Sequence, residues 1–112
     1  MLAQRFSSIV VEPAKLRDYC LNDAHPRGRH KARVFRSRLG LTAADTETLR
    51  HALLDAATNR QDHLLPSLAD EFGQRYLLDL ELTTFTGSAT VRSAWIVLAG
   101  EDVLRLTSCY VL

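Results

Sequence analysis

The stretch QRYLLDLELTTFTGSATVRSAWIVLAGEDVLRLTSCYV, Gln74 to Val111, decides the fold. In its first part Tyr76, Leu78, Leu80 and Leu82 alternate with Arg75, Asp79 and Glu81, the two-residue period of a half-buried strand. Thr83 to Ser88, with Gly87, reads as a turn, and Ala89 to Leu98 as a second strand. Gly100-Glu101-Asp102 makes another turn before a third strand, Val103 to Val111. Connections this short join antiparallel neighbours, so the segment predicts a meander. Both faces of these strands carry apolar residues, so the pattern leaves open which face is covered. Arg92 and Ser93 must point to opposite sides, and only one of them can share a site with Ser108 and Tyr110.

Upstream the period is helical. Phe6 to Val11 has the β-branched character of a short strand, stopped by Glu12-Pro13. Pro13 suits a first helical turn, and Leu16, Tyr19 and Cys20 follow at helical spacing to about Leu21. Turn residues fill Asn22 to Gly28. A second helix is predicted from about Arg29 to Leu39, buried along Ala32, Phe35 and Leu39 and closed by Gly40 in a left-handed cap. Thr42-x-x-Asp45 has the form of a capping box opening a third helix to about Ala57, with Leu49, Ala52, Leu53 and Ala56 inward. Between Asn59 and Glu71 Pro66 breaks any long helix, and Ser67 to Phe72 reads as one helical turn or a loop. The expectation is one α+β domain over 1–112: N-terminal helices (about 13–57) packed on a three- to four-stranded antiparallel sheet (about 74–111).

At 112 residues, 46% apolar and 24% charged, the composition is that of an ordinary soluble globular domain. The N-terminus lacks a basic segment followed by a long apolar run, and no stretch has the apolar length of a membrane span. These features point to a cytoplasmic protein with no membrane partner. Cys20 and Cys109 read as buried thiols, with a disulfide the lesser alternative. The sequence has no GxxxxGK[ST] loop, GxGxxG, HExxH, paired CxxC or GxSxG elbow, so neither a cofactor nor a metal is expected.

Charge is distributed unevenly. His25 to Gly40, HPRGRHKARVFRSRLG, holds Arg27, Arg29, Lys31, Arg33, Arg36 and Arg38 with two histidines and no acid. The chain has 14 basic and 13 acidic residues in all, so the rest of it is net acidic. On a helical wheel Arg29, Arg33 and Arg36 fall on one rim of the apolar stripe, Lys31 and Arg38 on the other. Concentrated positive charge is what a phosphate-rich partner requires. His25, His30 and these cations, with Arg75, Thr90, Arg92, Ser93, Ser108 and Tyr110 on the strands, form an inventory suited to metal-independent RNA cleavage. That reaction needs a base for the 2′-hydroxyl proton, an acid for the leaving oxygen and cations for the phosphorane charge. Each residue has a plainer reading as well. His25 before Pro26 can satisfy a turn, Arg92 can pair with Asp79 or Glu81 across the sheet, and Trp95 can be core. Tyr110 can be a core aromatic with a wet hydroxyl.

The segment KLRDYCLNDAHPRGRHKARVFRSRLGL, with GQRYLLDL, TVRSAWIV and RLTSCYVL downstream, resembles a family of small bacterial domains of unknown function. The family pattern reads KLxxYLLNxxHPxGxxKAxxF, then G-x-x-Y, R-T-x-W and L-x-T-x-Y strands. The resemblance runs from Lys15 to Tyr110. Such domains are similar to the barnase/EndoU/RelE-like group of toxin ribonucleases. The motifs fall on His25, Pro26, Gly28, Lys31 and Ala32 in the loop and helix, and on Arg75, Tyr76, Arg92, Ser93, Trp95, Ser108 and Tyr110 in the strands. Serine stands at 93 and 108 where the pattern has threonine, which keeps the hydroxyl and loses the methyl.

The resemblance implies an endoribonuclease of toxin type, with RNA as substrate and a small cognate antitoxin or immunity protein as partner. His25 would be the acid or base, Lys31 the phosphate clamp, and Ser108 and Tyr110 would orient the phosphate. Arg27, Arg29, Arg33, Arg75, Arg92 and Ser93 would bind substrate. Two rivals remain: a nucleic-acid-binding module that uses the same cationic surface without chemistry, and a protein-interaction component that docks through a sheet edge or apolar groove and depends little on Arg27 to Arg38.

Overall fold

A computed structural model describes residues 5–112. β1, Ser8–Val10, leads through Glu12 into α1, a single turn over Pro13–Lys15. That turn widens at once into a π-helical segment, Leu16–Cys20, where the Leu21 N–H reaches back five residues to the Leu16 carbonyl at 2.8 Å. α2, Arg29–Leu39, buries Ala32, Phe35 and Leu39, and Gly40 ends it at φ 67°. Thr42 and Asp45 form the expected capping box, which opens a 3₁₀ turn, Ala43–Asp45, ahead of α3, Thr46–Asn59. Four strands follow: β2, Leu65–Asp70; β3, Gly73–Thr83; β4, Ser88–Leu98; and β5, Val103–Val111.

The mixed α+β reading holds, and the sheet is larger than expected. It has five strands in the order β1-β5-β4-β3-β2. The three long strands form the antiparallel meander, with Asp79 opposite Arg92 and Arg92 opposite Tyr110. Two departures from the sequence reading lie at the edges. β1 joins parallel to β5, pairing Ser8 with Val103 and Val10 with Arg105, so the sheet is mixed and not wholly antiparallel. β2 occupies the region expected to be a helical turn or loop. All six of its residues are exposed, so it carries no burial period to read. Pro66 and a register shift between Pro66 and Ala69 sit in this strand, where an edge position tolerates a missing N–H.

The helices cover one face of the sheet. Leu78, Leu80, Val91, Trp95, Leu104, Leu106 and Cys109 meet Leu16, Phe35, Leu39, Leu49 and Leu53 in the core. Ser93 points into this core and is fully buried. Its hydroxyl donates to the Leu78 carbonyl (2.6 Å) and accepts from the Trp95 indole (2.8 Å). Arg92, Asp79 and Tyr110 belong to the other face. No described helix is long and apolar enough to cross a membrane.

Ser93→Ala strands the Trp95 N–H and takes a donor from the Leu78 carbonyl. It should cost about 1–3 kcal/mol, the penalty for buried groups left unpaired, read as a lower urea midpoint. An unchanged midpoint would show that Trp95 does not depend on this hydroxyl.

Candidate functional site

β1 pairs with β5 only as far as Arg105, so Leu106–Val111 have no strand on their outer side among the described residues. The π-helical segment and α2 pack against β5 instead. The register between β4 and β5 shifts where Ala94 faces Ser108 and Trp95 faces Leu106, which makes Thr107 the extra residue of a bulge. Its hydroxyl donates to the Ala94 carbonyl at 3.0 Å. Bulges bend a strand and redirect the side chains beside them.

At this bare edge Lys31, one turn into α2, lays its ammonium 3.1 Å from Ser108 Oγ and 3.3 Å from Tyr19 Oη. The same nitrogen stands 5.0 Å from the Tyr19 ring centroid and 5.6 Å from that of Tyr110, within cation–π range. No carboxylate pairs with Lys31 among the described residues. Arg27, Arg29, Arg33 and Arg38 are likewise free of ion pairs, whereas Arg36 holds Asp23 at 2.9 Å. His30, Lys31, Val34, Tyr110 and Val111 line a shallow groove of about 270 Å³ at this point.

His25 sits at the entrance to the helix. Its Nδ1 accepts the N–H groups of Arg27 and Gly28, each at 3.0 Å, and its ring packs edge-on against Tyr19 at 4.8 Å. Because Nδ1 is an acceptor twice over, the neutral ring carries its proton on Nε2 and can offer a donor there. Gly28 is required by proximity. A Cβ at that position would lie 2.2 Å from the Tyr19 carbonyl oxygen. The HPxG loop is therefore pressed onto the π-helical segment, which connects His25 to Lys31 through Tyr19. π-helical insertions recur at functional sites because they re-aim a side chain within a helix. Tyr19, read from the sequence only as an apolar helix position, is the site residue that reading missed. The signal for it was the conflict between a polar hydroxyl and a core assignment.

The residues proposed from sequence are thus sorted by the fold. Lys31, Ser108 and Tyr110 come together, with His25 next to them through Tyr19. Arg92 lies beside Tyr110 on the open face, but its guanidinium fork is bound by Asp79 at 2.8 and 2.9 Å. That pairing holds the Asp79 carboxyl below its ordinary range and raises Arg92 further, with Tyr110 adding to the latter. Arg75 is two strands away from β5 and engages Asp70 at 3.2 Å. Arg29 and Arg33 lie on the rim of α2 opposite Lys31. Ser93 is buried beneath the sheet and faces no groove, so its assignment to substrate binding gives way to a structural one.

Below Lys31 lie the two cysteines, both free and buried. A hydrogen bond from Cys109 brings Cys20 down to about 7 against the opposing effect of burial. The charge of Lys31 and the Ser108 hydroxyl act in the same direction. Cys109 is pushed up by that pairing and by its own burial. Among the described residues no three His, Cys, Asp or Glu side chains group as a metal site.

A family model described as a domain of unknown function (DUF6883) matches residues 1–112, so the chain belongs to that family. No curated protein matches it.

Gly28→Ala should destabilise the domain by about 1–3 kcal/mol through overpacking against Tyr19, and loosen the His25 loop with it. Thermal denaturation checks the first effect and amide exchange at Arg27 and residue 28 the second. A variant as stable as the wild type would contradict the close approach.

Proposed function

We propose that this member of the DUF6883 family is a metal-independent endoribonuclease of toxin type, with Lys31 as its phosphate-binding centre. The observation that carries the reading is the state of that ammonium. It is half-buried, is held by two hydroxyl oxygens and two aromatic faces, has no carboxylate partner among the described residues, and stands beside an open groove. A lysine has three N–H donors. Two are taken by Tyr19 and Ser108, which leaves one for a phosphoryl oxygen. A cation held in place without a counter-ion is suited to negative charge that develops during reaction.

The chemistry follows from the groups around it. His30 lines the groove as a base for the 2′-hydroxyl proton. The 2′-oxygen then attacks phosphorus, the bond to the 5′-oxygen breaks, and that oxygen takes a proton. The products are a 2′,3′-cyclic phosphate and a 5′-hydroxyl. His25 offers its Nε2–H as a hydrogen bond to a phosphoryl oxygen and is not the base, since its Nδ1 is committed to the loop. The 5′-oxygen takes back, through water, the proton that His30 accepted. Ser108 and Tyr19 fix the ammonium, and Tyr110 forms the groove wall. RNA is the substrate in this proposal, and a small cognate antitoxin or immunity protein is the partner that the resemblance to toxin ribonucleases adds. One observation favours a second reading, binding without turnover: a histidine spent on backbone contacts reduces the supply of acid–base groups.

Total RNA incubated in EDTA with the wild type should yield fragments ending in 2′,3′-cyclic phosphate. Lys31→Ala should lower the rate at least about 100-fold, as loss of a charge-stabilising donor does. His30→Ala should lower it by about 10²–10⁴, the range for a general base, while retaining RNA affinity. Equal cleavage by Lys31→Ala would remove the assignment. RNA bound with a steep salt dependence but left intact by the wild type would establish the second reading.

A further inference from the structure

The tip of the β3–β4 hairpin holds a phenylalanine that the fold does not use. Phe85 is completely exposed, at 114% of the reference area, whereas the core is closed beneath it. The hairpin that displays it is anchored firmly. The Thr84 hydroxyl donates to the Leu39 carbonyl at 2.7 Å, docking the tip on the C-terminal end of α2. The Thr84 N–H reaches the Gly87 carbonyl at 2.8 Å, and the Thr86 N–H reaches the Thr84 hydroxyl at 3.2 Å. Gly87 lies so close to α2 that a Cβ there would be 3.1 Å from the Arg38 carbonyl oxygen. An exposed aromatic on a fixed mount presents a flat apolar face to solvent at little entropic cost.

Its position relative to Lys31 gives that face a meaning. Arg38 falls on the same rim of α2 as Lys31, seven residues and about 10 Å further along the axis. It has no ion pair among the described residues. Between the two cations the rim carries Val34, partly exposed at 37%, and the facing strand ends in Tyr110, Val111 and the exposed Leu112. A second cleft of about 610 Å³ opens under the hairpin tip, lined by Leu39, Leu41, Thr48, Thr86 and Phe85 among others. Cations at intervals beside an apolar floor, ending on an open aromatic, suit a strand whose phosphates and bases lie on different sides.

We propose that the groove between α2 and the bare end of β5 is a track for single-stranded RNA, and that an unpaired base stacks on Phe85 beyond the Lys31 phosphate site. The proposal rests on the ribonuclease reading for the identity of Lys31 and extends it to a subsite and a substrate class. A duplex keeps its bases stacked inside and offers none to Phe85. Arg38 holds the backbone between the two positions.

The test uses the intact domain and a short 2′-O-methylated oligouridine, which cannot be cleaved because its 2′-oxygens are blocked. Phe85→Ala should weaken binding about tenfold, within the range for loss of one base–aromatic contact, and leave the salt slope unchanged. Arg38→Ala should weaken binding and lower the salt slope by about 0.7, as for one lost contact to a single strand. Phe85→Trp should retain affinity, and its added emission, taken as the difference from the wild type with its buried Trp95, should be quenched on binding. Phe85 supports no packing, so Phe85→Ala should unfold at the wild-type temperature. Wild-type affinity in Phe85→Ala, or equal affinity of the wild type for a duplex of the same length, would overturn the subsite and leave the Lys31 assignment standing. A wild type that neither binds the oligonucleotide nor cleaves RNA would overturn both.

Discussion

The organising constraint in this domain is an unfinished sheet edge. β1 pairs with only the first part of β5, and the remainder of that strand is closed by a helix and a π-helical turn. Helices cannot continue a β ladder, so the junction is made by side chains, and the side chains that meet there are polar. Lys31, Ser108 and Tyr19 form hydrogen bonds where a sixth strand would have offered backbone. The bulge at Thr107 belongs to the same adjustment.

Several local features make sense only as support for this junction. Within the π-helical segment Leu16 and Cys20 are fully buried, while Tyr19 packs partly buried against the core with its hydroxyl on Lys31. Gly28 lets the loop approach the Tyr19 backbone more closely than any other residue allows. His25 then gathers the first N–H groups of the turn before α2, doing for that entry what a side-chain cap does elsewhere, since Gly28 has no side chain to offer. The loop, the π turn and the helix start are thus one unit with Lys31 at its end.

The open face of the sheet follows a different logic. Its central row is neutralised internally by the Asp79–Arg92 pair, and the exposed edge strand β2 is broken by a proline and a register shift. Such interruptions discourage the pairing of edges between molecules. Cations without an ion pair among the described residues are concentrated in the loop before α2 and in α2 itself, and of these Lys31 stands at the bare end of β5.

The meander, the helical N-terminal half, the Gly40 cap, the capping box and the concentration of charge were all legible in the sequence, because each is set by local periodicity or by one residue's backbone preference. The association of Lys31 with Ser108 and Tyr110 was legible only through the resemblance to a family pattern. Three things were not legible in either way. β2 is exposed throughout and so has no alternation to detect, while the parallel pairing of β1 joins residues about 95 positions apart. The side of the sheet that is covered was undecided while both faces carried apolar residues, and it is what makes Ser93 a core group and leaves Arg92 on the surface. The division of the α2 cations was written in the helical period, but which rim faces β5 was not. Local sequence determines what a segment is; the burial of one face against another determines which of its side chains can meet, and that choice is made only when the elements pack.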